Sequence, residues 1–401
     1  MNCRVCKSSE VEVILNLNAS PPSNNFLDAN DTQTTEKFYP LQLVYCFSCG
    51  IGQTSYVVDP RIIFNNDYQY CSSVSKTYRE HCSNFIKRIF AKGILSNNTK
   101  VIELACNDGY LINEIFKISK FSIGIDPSGT HYNCYSSARI VRKMFCLKLA
   151  KRLAKIGIEA DLIIANNVIA HVPNIVEFFL SARSLLTSKG IMIVEFPDFD
   201  ELLAHGLFDT IYHEHYYYYS PLGISNLCKK VGLILFDSER INVHGGSLRV
   251  YLKKSSQEVI KKKEIIGQKI TRTHLGQTFR SFRTYAHRIK IEALQFLTEA
   301  KEKNLKVIGY GAAAKASTFL NFCGINRDLI DCVVDKSVIK INRFIPGVRI
   351  PIKSSDKISQ INPDIIVIFV WNIKNEVIEQ VQNMGIKNVK FVTFLPKLQI
   401  L

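Results

Sequence analysis

Short apolar runs, separated by glycine-bearing turns and amphipathic stretches, dominate the middle of the chain. "TKVIELACNDGYLINEIF" (residues 99–116) opens on the β-rich run "VIEL", breaks at "ACNDG" and continues as "YLINEIF" with helical spacing. That pattern predicts strand, turn and helix. "FSIGIDPS" predicts a second strand ending at Asp126, and "ADLIIANNVIAHV" a later one ending near Asn166 and Asn167. "SLLTSKGIMIVEFPD" reads as a helix end, a turn at Gly190 and a further strand. Strands alternating with helices predict a doubly wound α/β sheet with its ligand at the strand C-termini. The pattern returns in "KVIGYGAAAKASTFLNFCGI", "CVVDKS" and "DIIVIFVWN", which predict a second, smaller Rossmann-like unit. Between the two, "VHGGSLRVYLKK" predicts a strand that opens the last unit, followed by a Lys/Arg-rich helical connection over 254–300.

A chain of 401 residues, 47% hydrophobic, can bury real cores in two or three domains. No apolar run reaches the roughly 18–20 residues that span a bilayer, and "MNCRVCKSSE" lacks a signal-peptide core. The expectation is a soluble, cytoplasmic protein. The net charge of +16 is dispersed, so it serves an anionic small substrate such as a diphosphate as well as a nucleic acid.

The 12 cysteines change the picture, because without a secretory signal a disulfide framework is not expected. "CRVC" supplies Cys3 and Cys6, and "CFSC" supplies Cys46 and Cys49. Two CxxC turns complete a tetrahedral S4 shell with no open position, which predicts a structural zinc ion in a small looped lobe.

The first predicted turn holds one glycine, Gly109, so it is a poor dinucleotide fingerprint. It suits S-adenosylmethionine (SAM). Glu103 ends the first strand, Asp108 and Gly109 form the turn, and Asp126 is placed to take both ribose hydroxyls. Asp126 read as a helix cap and Asp108 read as a plain turn-former are the alternatives.

"TIYHEHYYYYS" (210–220) crowds titratable and aromatic groups. HEH places its imidazoles on one face only in a strand, and no HExxH spacing is present, which argues against a metal pair. Alternation along "HYYYYS" would bury half of the tyrosines against a sheet, which argues against a base-stacking platform. Plain structural packing and an acid/base centre both remain. Histidine is the natural base near neutral pH, a glutamate can fix its tautomer, and tyrosine hydroxyls can hydrogen-bond an enolate oxygen.

The four cysteines, "ELACNDGYL", "NNVIAHVPN", "EFPDF", "FDTIYHEH", "HGGSLRVY" and "VIGYGAAAKA" stand in one order along the chain. In this the chain resembles the nucleotide-sugar C-methyltransferases that make branched-chain deoxysugars, over essentially its whole length. Ala105 and Cys106 depart from the Gly and Ser usual in that family's SAM turn. The resemblance implies a zinc-binding module at 1–66, a SAM-dependent methyltransferase domain at 67–240 and a C-terminal Rossmann-like domain at 241–401 that helps hold the nucleotide sugar. It implies His215 as the base, Glu214 in support, and Tyr212, with Tyr70 of "DYQYCSS", on the substrate oxygens. His171 is placed where a post-strand loop meets the reacting centre. Gly309, Gly311 and Lys315 are expected against the substrate's phosphates, with a solvent-facing Lys315 as the alternative. The implied reaction is methylation at C3 of a nucleotide-linked 4-keto-deoxysugar. The alternative is O- or N-methylation of a sugar or a nucleic acid. Neither a membrane nor a nucleic acid is an expected partner.

Overall fold

The computed structural model describes residues 1–28, 35–63, 76–127, 138–243, 245–255, 272–386 and 388–401. Its apolar runs assemble three sheets. Strands β1 (Val11–Ser20), β2 (Tyr39–Cys46) and β3 (Ile51–Thr54) form an antiparallel meander. The central strands are β4 (Val101–Leu104), β5 (Ser122–Ile125), β6 (Arg139–Val141), β7 (Ala160–Asn166), β8 (Leu186–Pro197), β10 (Leu233–Ile241) and β11 (Ser247–Lys254), while β9 (Tyr217–Tyr219) leaves them. It crosses to the meander and pairs antiparallel with β3, Ile51 opposite Tyr219 and Gln53 opposite Tyr217.

The central sheet has the order β10-β11-β8-β7-β4-β5-β6. The pairs β7–β8, β4–β7, β4–β5 and β5–β6 are parallel, and β11 runs antiparallel to both neighbours. Here the sequence expectation needs correcting. The "SLRVYLKK" strand does not open the last unit; it is inserted between β8 and β10. Six of its eight residues are buried, as an interior strand covered on both faces requires. Gly245 (φ 93°) and Gly246 (φ 112°) turn the chain back into this slot in a backbone region closed to most side chains. By strand pairing, the central unit therefore runs on to Lys254.

The described part of the 254–300 region is helical, as expected. One 31-residue helix, Arg272–Glu302, occupies its described part. Phe279, Phe282, Ala286, Ile289, Ala293, Leu297 and Ala300 recur at three- and four-residue intervals and are buried, so one stripe packs while the basic residues face out. The last sheet comprises β12 (Val307–Tyr310), β13 (Val333–Asp335), β14 (Ile352–Ser354), β15 (Ile365–Ile368), β16 (Lys390–Thr393) and β17 (Gln399–Ile400). Its order is β14-β13-β12-β15-β16-β17, parallel except at β17. Strand order reverses beside β4 in the central sheet and beside β12 in this one, where open α/β sheets bind ligands.

The N-terminal meander is sandwiched. One apolar cluster joins Cys3, Cys46 and Ile51 to Phe178, Tyr217 and Tyr219 of the central unit. Another joins Ile14, Leu15 and Leu43 to Tyr218, the long helix and the C-terminal sheet. Both faces of β9 are thus covered. All four tyrosines from 216 to 219 are buried, where one covered face would have buried half of them.

Candidate active site

The zinc lobe is built from two equivalent knuckles. Lys7 N donates to Cys3 O at 3.0 Å and Gly50 N to Cys46 O at 2.8 Å. Lys7 and Gly50 both take left-handed backbone, with φ of 69° and 75°. All four sulfurs lie within 4.8 Å of one another, with Cys3–Cys49 at 3.6 Å and Cys6–Cys46 at 3.5 Å. A tetrahedron with Zn–S bonds of about 2.3 Å has edges of about 3.8 Å, so the thiols fit zinc. Arg4, inside the first knuckle, reaches out of the lobe. It donates to the carbonyls of Thr54 and Tyr216, the latter at 2.6 Å, and its guanidinium lies 4.9 Å from the Tyr217 ring centroid. No spacing in the sequence signalled that reach.

The SAM turn follows β4. Ala105 and Asn107 have φ of 55° and 50°, and Gly109 has 83°. The left-handed Ala105 gives the physical reason glycine is usual there; an L-residue pays roughly 1–2 kcal/mol. Cys106 fills space against Gly124, where a Cβ would come within 2.6 Å of its sulfur. At Gly109 a Cβ would press on the tip of Ile140 at 2.8 Å, and the left-handed φ there already disfavours a side chain. Asp126 Oδ2 accepts from Asn107 N at 2.8 Å, which brings the end of β5 to the turn. Buried Asp108 accepts from Tyr110 N at 3.3 Å and so starts the following helix. Glu103 Oε2 and Asn166 Oδ1 are buried oxygens with no hydrogen-bond partner among the described residues. Asn167 (φ 54°) has a backbone task, linking the end of β7 to Glu195 O at 2.7 Å. Burial, then the charges of Asp126 and Asp108, pushes the Glu103 carboxyl well above the usual range. Three carboxylates around one turn, with orphaned acceptors beside them, suit a ligand with hydroxyls and positive charge, and SAM has both.

The turn after Phe208–Thr210 carries the histidines. His215 Nδ1 lies 3.0 Å from Thr210 O and must donate to it, which leaves Nε2 as the lone-pair nitrogen. Tyr212 OH lies 2.9 Å from Nε2. Glu214 does not hold the ring as expected. Its Oε1 accepts from the amide and side-chain nitrogens of Asn24, both at 3.1 Å, and its Oε2 is buried without a partner among the described residues. Burial raises its carboxyl. The Thr210 carbonyl and Asn24 are the functional groups that sequence reasoning missed. "SPPSNNF" offers a loop signal and nothing that points across 190 residues to Glu214.

His171 lies beside His215. Tyr216 N donates to Ala170 O at 2.7 Å, Tyr219 OH to Ile169 O at 3.2 Å and Tyr217 OH to Pro173 O at 2.8 Å. These clamp the loop so that the His171 and His215 rings stand 4.7 Å apart. Burial pushes the His171 imidazole down to about 4, against a hydrogen bond to the Glu214 backbone, so it is neutral at pH 7. His213 belongs elsewhere: Nε2 bonds Tyr39 O at 3.1 Å, and burial lowers its imidazole to about 4 as well. The two histidines of HEH bond different carbonyls, Tyr39 O and Thr210 O, and the cysteines form the one metal-capable cluster among the described residues. Tyr70 lies outside the described residues.

In the C-terminal unit Gly309 and Gly311 serve packing. A Cβ would come within 2.6 Å of Phe369 at the first and 2.7 Å of Val370 at the second, and their amides bond Cys332 O and Val334 O. Lys315, in the first turn of the helix Ala314–Cys323, is half-buried; its Nζ lies 4.1 Å from the Trp371 ring centroid and 3.1 Å from Asn372 Oδ1.

These features define a SAM-dependent methyltransferase with an added structural metal lobe. Three family models match in order: a zinc binding domain at 3–64, a methyltransferase domain at 74–236 and a C-methyltransferase C-terminal domain at 242–396. The C-methyltransferase NovU of Streptomyces niveus is 25% identical over 100% of this chain and 96% of its own length. The whole chain is thus similar to a C-methyltransferase, and its C-terminal part matches a C-methyltransferase model. Among solved structures, the PH0226 protein of Pyrococcus horikoshii OT3 is 16% identical over 45% of this chain and 92% of its own, with a TM-score of 0.36. The magnesium protoporphyrin IX methyltransferase of Synechocystis PCC 6803 with bound SAM is 13% identical over 44% and 80%, at 0.32. Among the described residues, no helix is long and apolar enough to cross a membrane.

Two outcomes follow from this geometry. Cys46→Ser should remove stoichiometric zinc and, because Arg4 then loses its anchor, lower methylation as well as stability; full activity in metal-free protein would contradict the link. Asp126→Ala should weaken SAM binding by roughly 1.5–3 kcal/mol, the worth of charge-assisted hydrogen bonds, when measured by calorimetry.

Proposed function

We propose that the protein methylates C3, next to the ketone, of a nucleotide-linked 4-keto-deoxysugar, as a step in making a branched-chain deoxysugar. The observation that carries this reading is the tautomer of His215. With Nδ1–H committed to Thr210 O, Nε2 offers its lone pair on the side where Tyr212 OH lies. His215 Nε2 takes the proton from the carbon beside the ketone, and the C–H electrons pass to the ketone oxygen as an enolate. Tyr212 OH turns from Nε2 to donate to that oxygen. SAM, held at the turn of Glu103, Asp108 and Asp126, would supply the methyl group to that carbon, its sulfur keeping the broken S–C electron pair as S-adenosylhomocysteine leaves. His171, neutral and in edge contact with His215, gives the forming imidazolium a neighbour without a like charge. Glu214, anchored on Asn24, holds the turn from the other side. The basic balance of the chain serves the diphosphate, with Lys315 as its contact in the C-terminal unit.

His215→Gln should lower turnover by about 10²–10⁴-fold, the usual worth of a general base, while SAM still binds. In deuterated water, with S-adenosylhomocysteine in the cofactor site, the wild type should exchange the substrate's C–H and His215→Gln should not; wild-type exchange in that variant places the base elsewhere. Trp371 is the chain's single tryptophan, so its emission reports on Lys315 directly. Titrating dTDP or UDP should change that emission, and Lys315→Met should weaken the nucleotide by about tenfold or more, as loss of a charge-assisted bond does. Unchanged emission and affinity would remove Lys315 from the substrate site.

A further inference from the structure

The turn that presents His215 is held from the C-terminal unit. Asp209, buried in the Phe208–Thr210 turn, accepts from Trp371 Nε1 at 2.7 Å through Oδ2. Trp371 follows β15 and carries Lys315 over its ring. Lys315 is also the positive charge that acts on the Asp209 carboxylate. The helix Ala314–Cys323 grips the residues on either side: Phe208 stacks on Phe319 at 5.9 Å, and Thr318 Oγ1 donates to Ile211 O at 3.2 Å. Around the carboxylate the walls are apolar, with Phe319, Phe369, Phe394 and Leu395 lining a small cavity. Trp371 supplies a neutral side-chain donor from this wall, beside the backbone amides of Asp209 and Thr210, and a buried carboxylate needs such donors to stay in place. One residue further along, the Thr210 carbonyl fixes the proton of His215 on Nδ1.

We infer that Asp209 is a positioning residue for His215: its bond to Trp371, under Lys315, sets the Thr210 carbonyl and so the orientation of the base. This rests on the reading of His215 as the base. Asp209 touches neither substrate nor SAM; it acts through the turn. The C-terminal unit thereby contributes to proton removal, in addition to any hold it has on the nucleotide.

The test uses the full-length, zinc-loaded protein and a nucleotide-linked 4-keto sugar. Trp371→Phe keeps an aromatic ring near Lys315 and loses the N–H. Asp209→Leu loses both oxygens at similar volume, and Asp209→Asn keeps an oxygen for Trp371. Trp371→Phe and Asp209→Leu should each lower kcat for methylation, and for C–H exchange, by about tenfold, the size expected for one hydrogen bond to a charged group, with KM within about threefold. The double variant should be no worse than either single, since the two residues act as one unit. Asp209→Asn should recover most of the rate. A role in stability alone would lower the melting temperature and leave kcat of the folded protein intact, and that result overturns the inference. So do additive losses in the double variant, or wild-type kcat in Trp371→Phe, which decides the matter if Asp209→Leu does not fold. His215→Gln separates the two readings. If it is inactive while Trp371→Phe is fully active, the base stands and the positioning role falls. If it exchanges at the wild-type rate, the base reading falls and takes this inference with it.

Discussion

The pairing of β3 with β9 is the constraint on which the site depends. Three residue pairs, Ile51–Tyr219, Gly52–Tyr218 and Gln53–Tyr217, carry the chain from the central unit into the N-terminal sheet. Their register decides which core each tyrosine enters. Tyr217 and Tyr219 turn toward the central unit, where their hydroxyls hold the 169–173 loop, and Tyr218 turns toward the C-terminal side. A slip of one residue would exchange the two sets, put their hydroxyls in the wrong cores and part His171 from His215. Gly52 permits the approach, since a Cβ there would press on Phe199 and Tyr218 at 3.1 Å.

The two α/β units repeat one device with different electrostatics. In each, the aspartate ending the second strand accepts from a backbone amide of the turn after the first: Asp126 from Asn107 N and Asp335 from Ala312 N, both at 2.8 Å. In the central unit the neighbours are the carboxyls of Glu103 and Asp108, so acidic groups crowd the turn. In the C-terminal unit Lys340 lies 3.6 Å from Asp335 and also bonds Ala312 O, so the same turn is balanced. An acid-rich turn favours a cationic ligand, and a balanced one with Lys315 beside it does not. A parallel network closes the end of β8, where burial of Glu195 is opposed by His81 and Arg249, each within 2.8 Å, and its carboxyl stays below the usual range.

What the sequence disclosed was local. "VIEL", "ACNDG" and "YLINEIF" became β4, its turn and the helix Tyr110–Ile118, because strand, turn and helix signals act over a few residues. The thiols of CxxC converge for the same reason: the knuckle is one turn long. What stayed hidden was pairing at a distance. Nothing in "SLRVYLKK" says that it slips between two strands already formed, and nothing in "YYYY" says that both its faces will be covered. Glu214 beside His215 invited a direct contact, yet adjacent residues diverge, and the partners proved to be Asn24 for one and the Thr210 carbonyl for the other. The sequence gives no sign of the role of Asp335, because its partner amide is 23 residues away and only the folded turn brings them together.

Family resemblance divides the chain at 64 and 236, whereas its hydrogen bonds do not. Arg4 ends on Tyr216, Asn24 on Glu214 and β3 on β9, so the N-terminal lobe and the turn that carries His215 are one piece of structure written at two places in the sequence. Recombination that exchanged the lobe alone would graft a foreign strand beside β9 and a foreign loop beside Glu214. A chimera made among such enzymes should be cut so that residues 1–63 travel with 208–220. For the same reason the two segments are free to vary only together, and a change of substrate drawn from a relative would have to be inherited as a matched pair.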